Sequence, residues 1–338
     1  MYRPDGTVAT GIPRPAQRGP WRPTTRAAAR PVGALRDAGA VHTVRVDLPF
    51  LPPLFPDNLY GHLAATAVPG VEEWRDGAYR RTLRLPGGAG VVTLPVPADG
   101  ATHVAATLHL TDPRDEAAAV AHCRRILDLD ADPAVVDGHL RKDPVLAPLV
   151  AAAPGRRVPG CPDPAEFAVR AVLGQQVSTA AARTHAGRLV VAHGEPVTDP
   201  DGGLTHLFPT PAALATLDEG SLALPGTRRR TLVGLVAALA SGQVRLGGPG
   251  GCRAGLDAFA GLPGIGPWTV ESVAMRALGD PDAFLPGDLG VAVAAKGLRL
   301  PSTPGALTAR AEAWRPYRAY AVQHLWATGA HAVNLLPV

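Results

Sequence analysis

The hydrophobic period of the chain changes near residue 112, and this change restricts the fold more than any other feature. From 41 to 111 apolar residues recur at every second position. "VHTVRVDLPF" sets Val44, Val46, Leu48 and Phe50 against Thr43, Arg45 and Asp47. "GVVTLPVP" carries Val92, Leu94 and Val96, and "THVAATLHL" carries Val104, Ala106, Leu108 and Leu110. A period of two with one polar face predicts half-buried strands of an antiparallel sheet. Pro95 and Pro97 push their strand toward an edge, because proline cannot donate to the ladder. "PDNLYGHLAATA", after the first strand, reads as a helix.

From about 113 the pattern is helical, with Ser, Thr, Asp and Pro at starts and Gly at stops. "DPAEFAVRAVLG", "VSTAAARTHAGRLVVAHG", "TRRRTLVGLVAALASG", "PWTVESVAMRALG", "DLGVAVAAKGL" and "TARAEAWRPYRAYAVQHLWATG" are the clearest helices. The fold class is therefore α+β. An antiparallel sheet domain covers 41–112, and an all-α region covers 113–338. Residues 1–40 are Pro, Arg, Ala and Gly without periodicity, and read as a disordered tail.

Several classes are excluded. No apolar run approaches the roughly 20 residues of a membrane span, and the N-terminus has no apolar h-region. A soluble, cytoplasmic protein with no membrane partner is expected. Cys123, Cys161 and Cys252 are far apart, so neither a zinc site nor an iron–sulfur cluster is supported. Net charge is +4, but seven arginines between Arg3 and Arg36 carry much of the excess. Nucleic-acid binding must therefore rest on placed groups, not on bulk charge.

"GLPGIGPWTVESVAM", Gly261 to Met275, supplies such groups. Pro267 is a good first helical residue. Val270, Val273, Ala274, Ala277 and Leu278 follow as one buried stripe. The segment reads as helix, tight glycine hairpin, helix. Bare N–H groups at the second helix start form an anion site. Gly264, Ile265 and Gly266 would let a phosphate backbone approach without reading sequence. An ordinary helix–helix turn is the alternative.

"LPGIGPWTVESVAMRALGDPDAFLPGDLGV" resembles the helix-hairpin-helix DNA glycosylases. "AVRAVLGQQVSTAAART" resembles their helix break, and "AWRPYRAYAVQHLW" resembles the C-terminal helix of the AlkA-type 3-methyladenine glycosylases. The resemblance covers about residues 41–330. It implies a TATA-binding-protein-like sheet domain before two helical lobes with the active-site cleft between them. It implies a monomeric, nucleoid-associated bacterial enzyme of base excision repair. Such an enzyme flips damaged bases out of double-stranded DNA and hydrolyses the N-glycosidic bond of alkylated purines. Deaminated or oxidised purines, or damage binding without catalysis, are the alternatives.

Residue by residue, the resemblance makes Asp288 in "LPGDLG" the catalytic carboxylate, although aspartate before "LGVAVAAKGL" is also a favoured N-cap. Asp280 and Asp282 read as turn residues. Trp268 stands where glycosylases that also cut the backbone carry a lysine, so simple hydrolysis is expected. Trp268 and Trp326 would line the base pocket, or Trp268 would anchor the core. Ser272 and Leu289 stand where the best-known member has aromatics, which leaves the lesion spectrum open. Gln175 and Gln176 would enter the duplex, or begin a helix. Arg228, with Arg229 and Arg230, would grip phosphates or form a solvated run. Arg318 would reach a phosphate or pair with an acid. No cofactor is required. The family also implies a monovalent cation held by the carbonyls of Ala260, Leu262 and Ile265.

Overall fold

The computed structural model describes residues 41–217, 224–248, 251, 253–329 and 331–337. The tail expected to be disordered lies outside the described residues, as does Cys252; Cys123 and Cys161 are buried free thiols.

Five antiparallel strands form the first layer: β1 (His42–Pro49), β2 (Glu72–Arg75), β3 (Ala78–Leu85), β4 (Gly88–Pro95) and β5 (His103–Leu110). Their order is β1-β5-β4-β3-β2. Two of these strands, β2 and β3, are absent from the period-two reading. They are a hairpin turned by Asp76 and Gly77, with φ of +52° and +73°, the left-handed pair that a two-residue turn needs. "AYRRTLRL" conceals its alternation because Arg80 and Arg81 are buried by ion pairs rather than exposed. The edge position expected for the Pro95 strand is corrected: β4 lies between β5 and β3. Pro95 ends that strand and Pro97 lies beyond it, so both spare the interior of the ladder.

Helix α1 (Asp57–Ala65) follows β1 and buries Leu59, Tyr60 and Leu63 in the sheet core. Helix α2 (Glu116–Ile126) adds Ala119, Cys123 and Ile126 to that same core. The sheet's hydrophobic cluster therefore runs past residue 112, on to Leu129.

The remaining helices are α3 (Pro133–Leu140), α4 (Ala147–Ala152), α5 (Pro164–Leu173), α6 (Thr179–His193), α7 (Pro211–Leu214), α8 (Gly226–Ala240), α9 (Leu256–Ala260), α10 (Pro267–Arg276), α11 (Leu289–Gly297), α12 (Pro304–Arg310) and α13 (Arg318–Trp326). A short strand pair, Glu195–Pro196 with His206–Leu207, closes the loop after α6. The helices share one continuous core that includes Val172, Leu232, Phe259, Val273, Trp314 and Leu325. The long C-terminal helix expected from the sequence is divided. Between α12 and α13 stand a 3₁₀ turn, Ala311–Trp314, and Pro316. Proline cannot supply the missing N–H and disfavours helix at the residue before it.

A buried ionic joint ties the sheet to the helices. Glu166 on α5 accepts from Arg81 at 2.8 Å and from Arg170 at 2.8 Å, and Arg170 also reaches Glu72 at 3.0 Å. Burial alone would raise the Glu72 carboxyl, but Arg170 and Arg81 hold it below its ordinary range. The joint fixes β2 and β3 of the sheet against α5.

Candidate active site

Three helix ends meet at Asp288. Helix α11 begins there, because Asp288 Oδ1 accepts from Val291 N at 3.0 Å as an N-cap. Trp268, in the first turn of α10, donates its indole N–H to Asp288 Oδ2 at 2.9 Å. Trp326, the last residue of α13, donates its indole N–H to Asp288 Oδ1 at 2.7 Å. The cap and the site are thus one residue with two uses. Asp288 is half-buried, and no Lys, Arg or His lies within ion-pair reach of it among the described residues. All of these donors are neutral, so they orient the carboxylate without pairing it to a cation. Trp268 is 38% exposed, with the edge of its indole anchored on the carboxylate.

The four expected pocket residues do not all stand alike. Ser272 is buried one turn beyond Trp268, on the same stripe of α10. Leu289, next to the carboxylate, is 78% exposed. At Gly290, a Cβ would come within 2.9 Å of the Trp326 ring and 3.1 Å of Asp288 Oδ1. That glycine is required by the close approach of the tryptophan to the helix start.

The hairpin between α9 and α10 divides its glycines by task. Gly264 has φ +83°, and a Cβ there would meet Thr231 Oγ1 at 1.9 Å. Its missing side chain serves packing on α8. Gly266 faces open space, with no atom within 4 Å of the place its Cβ would take. Helix α10 has no side-chain cap, and the N–H groups of Gly266 and Trp268 have no partner among the described residues. Ile265 N closes the turn on Leu262 O at 3.1 Å. That uses one lone pair of Leu262 O, while the carbonyls of Ala260 and Ile265 accept no backbone N–H from outside the helix.

Three residues expected to face DNA are placed otherwise. The Gln175 amide donates to Gly264 O at 3.1 Å and to Thr269 Oγ1 at 3.2 Å, so it braces the hairpin. Arg228 is buried, on the helix face that also carries Thr231, while Arg230 is exposed. Arg318 is buried and paired with an acid: it meets Asp282 at 2.8 and 2.9 Å and Glu312 at 3.3 Å. Gln176 makes no such internal contact among the described residues. It is exposed at the break between α5 and α6, with φ +55°, a strained conformation for a residue with a side chain.

Two neighbours escaped the sequence reading. Arg276 ends the stripe Trp268, Ser272, Arg276, spaced every four residues, and its guanidinium lies 5.4 Å from the centre of the Trp326 ring. That spacing was visible in the sequence. His62, on α1, feels the charges of Arg276, Arg170 and His331; burial first, then those charges, hold it well below the usual histidine range. The chain after α13 turns back over α1. Asn334 Nδ2 donates to Trp326 O at 2.8 Å and Gly329 O at 3.0 Å, and the Leu335 carbonyl occupies the space of a Cβ at Gly61. Nothing local in the sequence signals this docking.

Residues 45–163 match the AlkA N-terminal domain. Over 277 residues the chain is 36% identical to DNA-3-methyladenine glycosylase 2 of Escherichia coli, covering 80% of this chain and 92% of that protein. The chain belongs to the AlkA family of DNA-3-methyladenine glycosylases. It is also 54% identical over 312 residues to the "Probable bifunctional transcriptional activator/DNA repair enzyme AlkA" of Mycobacterium tuberculosis, covering 92% of this chain but only 62% of that relative. The family resemblance extends to solved structures. A 3-methyladenine DNA-glycosylase from Archaeoglobus fulgidus superposes with a TM-score of 0.69 at 20% identity, over 84% of this chain and 97% of that one. At that identity the likeness speaks for the AlkA-type fold alone. No helix among the described residues is long and apolar enough to cross a membrane.

Proposed function

We propose that this protein is a monofunctional DNA glycosylase that hydrolyses the N-glycosidic bond of alkylated purines in double-stranded DNA. One observation carries the reading: a carboxylate at a helix start, oriented by two indole N–H groups and left without a cationic partner. Such a group has a use where positive charge develops. Departure of a purine leaves a cationic, oxocarbenium-like sugar, and a fixed carboxylate beside it lowers that barrier. Water then adds to C1′ and gives its proton to Asp288 or to solvent.

The surroundings supply the other steps. The bare N–H groups of Gly266 and Trp268 would hold a backbone phosphate. Gln176, projecting from its strained turn, would fill the gap left by the flipped nucleotide. The exposed face of Trp268 would stack on the extruded base, most favourably on a cationic one. The carbonyls of Ala260, Leu262 and Ile265 would hold a monovalent cation that steadies the hairpin; hydrolysis needs no metal.

The placement of the lysines supports the absence of lyase chemistry. The chain has two lysines, Lys142 and Lys296. Both are exposed, and Lys296 lies eight residues along α11 from Asp288, roughly 12 Å of helix rise. Among the described residues no lysine amine stands beside the carboxylate to form a Schiff base. Borohydride should therefore trap no covalent adduct with DNA.

Ser272 and Leu289, small and aliphatic where the family's best-known member has aromatics, favour a second reading in which the same hydrolysis acts on deaminated or oxidised purines. A purely damage-binding module is disfavoured, since an uncompensated carboxylate at the DNA face repels phosphate. Incubation with methylated DNA and chromatography of the released bases tests the proposal. Release of 3-methyladenine or 7-methylguanine by the wild type, and none by Asp288→Asn, is expected. Release of no base under single-turnover conditions would refute it.

A further inference from the structure

Arg276 is an unusual group to bury. It is 7% exposed. Nη1 donates to Pro159 O at 2.9 Å, and its own carbonyl accepts from Cys161 N at 2.8 Å. Among the described residues no carboxylate lies within ion-pair distance of it. Burial pushes its pKa down to about 9, with the Asp288 charge opposing that fall. The group therefore remains a cation near neutral pH. Burying a charge without a counter-ion is costly, and a neutral side chain of the same length would fill the volume without that cost.

The guanidinium does have one intimate partner. Its carbon lies 5.4 Å from the centre of the Trp326 ring, within the range of a cation–π contact. The opposite role of that ring is the 2.7 Å hydrogen bond to Asp288 Oδ1. A cation over an indole draws electron density from the ring and makes its N–H a stronger donor. Ser272 is buried between Trp268 and Arg276 on the α10 stripe.

We infer that Arg276 is a positioning residue that acts on the reaction through Trp326, fixing the indole and strengthening the hydrogen bond by which it holds Asp288. It touches neither base nor sugar. The inference rests on the reading of Asp288 as the reacting carboxylate.

The test is single-turnover excision by Arg276→Met and Arg276→Lys on duplexes that carry one N7-methylpurine (cationic) or one deaminated purine (neutral). Arg276→Met should lower the rate about tenfold on both bases, with DNA affinity and melting temperature unchanged. Arg276→Lys, which keeps the charge but not the planar stack, should lose about threefold. In a Trp326→Phe background that threefold loss should vanish, because the ring then has no N–H to strengthen. A wild-type rate for folded Arg276→Met would overturn the inference. So would a loss confined to one class of base, which would mean direct contact with the leaving group. Should Arg276→Met not fold, the Arg276→Lys and Trp326→Phe cycle decides alone: equal losses in both backgrounds overturn it. Asp288→Asn separates the two levels. If that variant excises normally, the functional reading itself fails; if it is dead while the Arg276 variants are normal, only this inference does.

Discussion

The molecule assembles an arginine, a tryptophan and an aspartate twice. In the helical core, Trp314 donates to Asp143 Oδ2 at 2.7 Å, Arg310 lies 5.5 Å over the Trp314 ring, and Asp143 takes the backbone N–H of Val145 at 2.9 Å. In the cleft, Trp326 donates to Asp288 at 2.7 Å, Arg276 lies 5.4 Å over the ring, and Asp288 takes the N–H of Val291. One contact differs. Arg310 also grips Asp143 directly, whereas Arg276 has no contact with Asp288, and a second indole takes the vacant place. The core triad closes its charge and holds the fold together. The cleft triad orients a carboxylate and gives it no ion-pair partner among the described residues, the arrangement on which the proposed stabilisation of a cationic sugar rests.

Breaking the two triads should therefore have opposite readouts. The largest effect belongs to Asp288→Asn: a loss of excision of about 10²–10³-fold, on the scale of removing one pre-organised electrostatic group. Asparagine is an equally good N-cap, so the melting temperature should stay within a degree or two by calorimetry. Trp326→Phe, which keeps a ring but loses the donor, should lower single-turnover kcat by about 10–100-fold with little change in KM; a change confined to KM would make the ring a stacking platform only.

In the core the cost is stability. Arg310→Met should remove about 1–3 kcal/mol by denaturant titration and leave excision per folded molecule unchanged. The pH dependence follows from the same contacts. Burial would raise the Asp143 carboxyl, but Trp314, Val145 and Arg310 hold it below its ordinary value. A depressed native pKa contributes stability above the unfolded value of about 3.9, and that contribution is lost as pH falls through the native one. Wild-type stability should therefore fall more steeply below about pH 4 than that of Asp143→Asn. The smallest contrast is at the hairpin. Gly266→Ala, which adds a methyl to open space, should weaken DNA binding while costing less than about 1 kcal/mol of stability. Gly264→Ala, strained and in collision with Thr231, should cost more than that.

The parts legible in the sequence were those written within one element or one turn. The switch of period near 112 gave the α+β order, and "LPGIGPWT" gave an uncapped helix start. Asp288 was legible as the N-cap that it is; its reacting role is read from the resemblance. Parts made by long-range pairing were not legible. Arg80 and Arg81 hid β3 because the carboxylates that neutralise them, Asp199 and Glu166, lie on other elements. For Arg318 pairing with an acid was one of two expectations, but which acid was not legible, because its partner Asp282 comes 36 residues earlier. The indoles of Trp268 and Trp326 read as stacking surfaces, while their N–H groups reach Asp288 across 20 and 38 residues. An amphipathic pattern records which face is buried; it does not record which partner arrives from elsewhere in the chain.

The central proposal is that Asp288, held by neutral donors and without an ion-pair partner among the described residues, meets a cationic sugar. Its most direct test compares affinity for two duplexes, one with a neutral tetrahydrofuran and one with a cationic pyrrolidine at the abasic position. The wild type should bind the pyrrolidine duplex at least about tenfold more tightly, and Asp288→Asn should erase that preference. Equal affinities for the two duplexes in the wild type would contradict the account.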